Sequence, residues 1–220
     1  MSAVDGHGGA DARPILNVEL PLAGIVGIAA ALLALGTMVL YGFHDSGVRF
    51  ASELAWRFAS FVFFVAIVAG PLCHLIPLAI CKSLGPLRRQ LIWSFCASYA
   101  VFLASLLLPN AVGGVTHDEA TAGMTVFSLF GAATIGVMAY AASDNAVALV
   151  GERSRNALLS VAMSFFWLTY ALTGLAHLSG PHRPDSFYGA SLSLMILALL
   201  LRFSDRFIAK FRGTLDTSVL

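Results

Sequence analysis

Charged side chains are scarce in this 220-residue chain, at 11% of residues against a hydrophobic share of 58%. An average soluble domain carries about 25% charged residues, so a water-facing surface cannot be covered here. A soluble enzyme, a disordered chain and a coiled coil are thereby excluded. The formal net charge is only +1. That gives no field to draw in a polyanion, so nucleic acid is not expected as a partner. Cysteine is rare too. Cys73, Cys81 and Cys96 all lie in apolar stretches and form no disulfide framework. The GxSxG, HExxH, GxGxxG and P-loop patterns are missing, as is a CxxC pair. Carboxylates are missing from the helix centres, with Asp144 at an end, which argues against an ion-coupled transporter.

Long apolar runs are present instead. Stretches without Asp, Glu, Lys or Arg cover 20–44, 58–81, 90–117, 120–143, 156–182 and 186–201. Crossing a hydrocarbon core of roughly 30 Å takes about 20 such residues in a helix. The first five runs hold at least 24 residues each. The sixth holds 16 and becomes adequate if Arg202 and Arg206 snorkel to the headgroups. The expected fold is all-α, a six-helix transmembrane bundle over residues 20–210. A flexible tail (1–19) precedes it and a cytoplasmic tail (211–220) follows. The first helix is expected to stay uncleaved, because the tail before it lacks the basic start of a secretory signal.

Lys and Arg set the expected orientation. Arg13, Lys82, Arg88, Arg89, Arg153, Arg155, Arg202, Arg206, Lys210 and Arg212 fall on one side. Arg49, Arg57 and Arg183 fall on the other. Both termini are therefore expected in the cytoplasm, in a bacterial inner membrane. Small residues in the first helix (Gly24, Gly27, Ala31) and the fourth (Gly123, Gly131, Gly136) would let helices approach closely. Aromatic stretches at Phe58–Phe64 and Ser164–Tyr170 would serve as packing or lipid-facing surfaces. They would also suit a carotenoid, a quinone tail or a neighbouring subunit.

Histidines are the main candidates for chemistry. His44, His117, His177 and His182 map to the outer face as a metal or quinol-head cluster, although their spacings match no helical ligand pair. His74 lies in GPLCHLIP between Pro71 and Pro77. It reads either as a packed side chain bonded to a freed carbonyl or as a haem or quinone ligand.

Three segments resemble a known family: CKSLGPLRRQLIWSFCASY, AYAASDNAVALVGERSRNALL and SFFWLTYALTGLAHL. Together they are similar to the ferric reductase-like transmembrane domain, including haem-binding membrane subunits of the methionine sulfoxide reductase type. The likeness covers roughly residues 57–180. It implies six helices with both ends cytoplasmic. The family's haem-ligand places fall on Tyr99 to Phe102 and Leu158 to Ser160, and none of these is histidine. His74, His177 and Tyr99 are left as haem b or quinone candidates.

Three functions follow as expectations. The first is a non-catalytic membrane subunit organising a larger redox or photosynthetic complex with other membrane subunits. The second is a b-type haem electron-transfer protein. The third is a small-molecule or metal permease. The orientation is checked with reporter fusions at each end of the chain. A cytoplasm-active fluorescent reporter should light up at both termini, and a periplasm-active phosphatase should stay silent at both.

Overall fold

The computed structural model describes residues 19–75, 79–112, 119–179 and 186–216, with side chains placed within 22–44, 46–72, 87–107, 126–143, 145–179 and 186–204. Over these residues the chain is all-α, with six helices. They are α1 (Glu19–Tyr41), α2 (Asp45–Leu75), α3 (Ala79–Val112), α4 (Glu119–Ala142), α5 (Asp144–Ser179) and α6 (Ser186–Asp216). All but α4 contain a stretch long and apolar enough to cross a bilayer, and the described apolar part of α4 is Val126–Ala142. The chain is an integral membrane protein of the expected helical class.

The helices outrun the charge-free runs. α2 begins at Asp45, ahead of Arg49, Glu53 and Arg57, and α3 begins at Ala79, ahead of Lys82 and Arg88. A charge-free run marks only the hydrocarbon portion. In the headgroup layer a helix still pairs its own backbone groups while long side chains reach water. α5 starts earlier than its run as well. Its first turns, Asp144–Val150, are separated from the rest by Gly151, whose φ of 77° and ψ of 160° break the helix. That left-handed φ is open to glycine without a Cβ penalty. In the short leading segment Ala146 is buried, whereas Val147, Leu149 and Val150 are exposed. Apolar side chains exposed at a helix end suit the bilayer interface.

The packing order is a ring. α2 packs on α3, α3 on α4, α4 on α5, α5 on α6, and α6 returns to α2; α1 lies outside, against α2 and α3. The interior of the ring is filled by aromatic side chains. Phe63 of α2 meets Phe95 of α3 at 5.0 Å between centroids, and Phe95 meets Phe166 of α5 edge-on at 4.8 Å. Tyr99 meets Phe166 at 4.9 Å, and Trp56 meets Tyr170 at 4.4 Å. On α5 the buried residues Leu159, Ala162, Met163, Phe166 and Tyr170 recur at helical spacing. The two aromatic stretches thus divide by face: Phe63, Phe166 and Tyr170 point inward, while Phe61 and Leu168 are exposed.

Hydroxyls inside this apolar space are satisfied locally. Ser60, Ser94, Ser98 and Ser105 each donate to a carbonyl three or four residues back in their own helix. Such back-bonding spares a lone hydroxyl the cost of burial in hydrocarbon. Within the apolar layer α5 is linked to α6 by Trp167 Nε1, which donates to the Met195 carbonyl at 2.8 Å.

Of the small residues singled out in the sequence, two glycines pack closely against a neighbouring helix. Gly27 of α1 faces Ala97 of α3, where an added Cβ would stand 3.2 Å from the alanine Cβ. Gly131 of α4 faces Tyr99, and a Cβ there would stand 2.6 Å from the phenol oxygen. Gly24 and Gly136 face open space, and the side-chain position of Gly123 lies outside the described residues. The Tyr99 ring is fully buried and flanked by Trp56, Phe95, Phe102 and Phe166. Gly131→Ala should therefore cost about 1–3 kcal/mol by overpacking. Adding Tyr99→Phe removes the oxygen and should recover more than half of that loss. Thermal unfolding of the two single variants and the double variant in detergent reads the coupling.

Candidate functional site

Two cavities open near opposite ends of the ring. The first lies where α2 ends, α3 begins, α4 ends and α6 finishes its apolar stretch. It has a volume of about 440 Å3, and Arg88, Arg89, Arg155 and Arg202 line it. Its inner wall is apolar, with Ile67, Ile92, Leu159 and Met163. No Asp or Glu stands among the described residues that line it.

Local bonding fixes two of these arginines. Arg155 Nε donates to the Ala141 carbonyl at 3.1 Å. Ala141 belongs to the last turn of α4, where carbonyls have no partner within the helix and the dipole favours a cation. Arg202 Nη2 donates to Ser160 Oγ at 2.8 Å, tying α6 to α5. Arg88 is exposed, and its guanidinium carbon lies 3.6 Å from where a Cβ on Gly70 would stand. Arg88 of α3 thus lies beside α2 at Gly70, at a distance that would be ordinary contact for a Cβ. Together the groups make an arginine rim above an apolar wall.

The second cavity is about 380 Å3, lined mainly by Trp56, Phe102, Leu106, Phe127 and Tyr188 with Glu53 at its polar edge. Arg57 forms an ion pair with Glu53, one turn away on α2. Its guanidinium also sits 4.7 Å from the Phe187 ring centroid and 5.7 Å from that of Tyr188. Tyr188 in turn stacks on His177 at 3.8 Å and 11°. One cation, one carboxylate and three rings therefore clamp α2, α5 and α6 at this end.

The sequence-derived candidates are dispersed. Tyr99 is fully buried among Trp56, Phe95, Phe102 and Phe166. Its hydroxyl and that of Tyr170 are buried without a hydrogen-bond partner among the described residues. His177 is exposed near the end of α5, with Nδ1 donating to the Thr173 carbonyl at 2.9 Å. His44 is exposed at the start of α2. The side chains of His74, Cys73 and Cys81 lie outside the described residues, as do His7, Pro77, His117 and His182. Among the described residues no three of His, Cys, Asp and Glu are grouped to hold a metal. A haem clasped between facing helices needs two ligands at one depth. Tyr99 lies inside the ring cluster and His177 against Tyr188 outside it, so these two do not fit that need.

The arginine cavity was not visible in the sequence. Its arginines come from separate segments and read singly as signs of orientation. Tyr170 was hidden in the same way, as the last ring of an aromatic stretch. The step from Phe166 to Tyr170 is the signal that places both on one face of α5.

No family model, curated protein or solved structure matches the chain.

The Arg57 clamp makes a quantitative expectation. Arg57→Ala removes an ion pair and two cation–ring contacts in a partly dry setting, for a loss of about 1–2 kcal/mol. Arg57→Lys keeps the charge but not the flat guanidinium, and should lie between alanine and wild type. Thermal unfolding in detergent, compared across the three proteins, checks the order.

Proposed function

We propose that the protein is a non-catalytic integral membrane subunit on a ferric reductase-like scaffold, packing in or organising a larger redox or photosynthetic membrane complex. The observation that carries this reading is the filled interior. The resemblance puts the family's haem between the third and fifth helices. At the α3 place, Tyr99 and its neighbour Phe95 close directly on Phe166 of α5, with Phe63 and Trp56 of α2 completing the cluster; the α5 place, Leu158 to Ser160, lies at the arginine cavity, which Leu159 and Ser160 line. Rings that interlock at 4.8–6.1 Å leave their contact energy in the helix–helix joint rather than in a cofactor. The surface supports the same reading. Ile25, Ile28, Leu32, Leu35 and Val39 stand exposed along α1, and Leu129 and Phe130 along α4. These faces meet lipid or the apolar helices of a partner. In this reading both termini are cytoplasmic and the membrane is a bacterial inner membrane.

The test is an absorption spectrum of the gently solubilised, purified chain, oxidised and dithionite-reduced, together with the proteins that accompany it from native membranes. A flat visible region, with a stoichiometric membrane partner, is the expected result. A Soret band near one haem per chain would overturn the proposal in favour of b-type electron transfer. His74, His177 and Tyr99 would then be replaced in turn to find the ligands. Full activity of an isolated monomer would equally overturn it.

A further inference from the structure

The arginine cavity has no role in the scaffold reading. Four of the five arginines with described side chains at its end of the bundle line this one space; Arg153 is the fifth. They arrive from α3, α5 and α6, so tertiary folding, not local sequence, brings them together. Guanidinium groups from three helices thus converge on one space with an apolar inner wall. Guanidinium forks match phosphate oxygens in geometry and charge.

We infer that this cavity binds the phosphate group of an anionic ligand, with the headgroup of an anionic phospholipid as its natural source. Two observations point to a lipid, and the size fits a small ligand of either kind. The inner wall is apolar: Ile67, Leu159 and Met163 continue from the rim into the core, as an acyl chain or glycerol backbone would require. The short Asp144–Val150 segment beside it exposes Val147 and Leu149, which places the rim at headgroup depth. The volume of about 440 Å3 is that of a small-molecule site. Basic pockets between transmembrane helices are a known setting for such headgroups. Arg155, already bonded to the Ala141 carbonyl, and Arg202, bonded to Ser160, are preset in position, so little side-chain freedom is lost on binding. Arg88, exposed, also lines the cavity. The inference stands independently of whether the chain is a subunit of a larger complex.

The experiment uses the full chain, delipidated in detergent, with three probes: phosphatidylglycerol, phosphatidylcholine and inorganic phosphate. Native mass spectrometry counts retained lipid, and thermal unfolding reads stabilisation. Phosphatidylglycerol should bind and raise the melting temperature, while phosphatidylcholine, whose choline cation cancels the phosphate's charge, should not. The double variant Arg88→Glu/Arg155→Gln should lose at least about tenfold in affinity, the worth of one charge-assisted hydrogen bond. Because Arg155 also holds the α4 end, Arg88→Glu alone is the second variant. Arg88 is exposed, so this variant should melt like wild type without lipid yet bind the headgroup more weakly. Saturable stabilisation by inorganic phosphate, lost in the same variants, would keep the phosphate site and assign it to a soluble ligand. Equal binding of both lipids, or undiminished phosphatidylglycerol binding in both variants, would overturn the inference, as would no response to any probe.

Discussion

The structure depends on the meeting of Phe63, Phe95, Tyr99 and Phe166 at the centre of the helix ring. In lipid, apolar helices gain little by hiding from their surroundings, because the surroundings are equally apolar. Association then rests on dispersion and close fit. Rings supply both, with broad faces and preferred tilted or edge-on contacts worth about 0.5–1.5 kcal/mol a pair. Here three helices contribute to one cluster, so each contact helps fix two others. The glycine of α4 opposite Tyr99 follows from the same constraint, since a ring this firmly held must be met by a surface without a Cβ. The serine hydroxyls follow too, because they are tolerated only by folding back onto their own helices.

Polarity is consequently driven to the two ends, where it takes different forms. One end pairs a single arginine with a glutamate and rings, a closed arrangement in which the cation's partners are protein groups. The other end gathers four arginines around a cavity. The first holds helices together. The second is built in the manner of a receptor, with fixed donors above an apolar wall.

Much of the architecture was legible in the sequence, because the number of helices depends only on where charge is absent. Helix ends were less so. Gly151 falls between the charge-free runs 120–143 and 156–182, yet it breaks a helix that starts seven residues earlier, at Asp144. Of the small residues singled out, Gly27 and Gly131 make close contacts and Gly24 and Gly136 do not. Which face of a uniformly apolar helix turns inward is not written in its hydropathy, since lipid and core ask for the same residues. The candidate site was the least legible part. Histidine draws attention as a ligand, but His177 serves as a stacking partner for Tyr188. The arginines were noticed one by one as markers of orientation.

That double reading of the arginines has a physical limit. Orientation by positive charge requires only that Lys or Arg lie near the ends of the spans on one side. It is satisfied by lysine as well as arginine, and by cations spread around the rim as well as by cations drawn together. It does not require that Arg88, Arg155 and Arg202 share one cavity, or that two of them be held by hydrogen bonds to Ala141 and Ser160. Convergence and preset geometry are features of recognition, because an anion is bound well only where several donors already point at the same place. The charge count satisfies topology; the arrangement calls for a ligand.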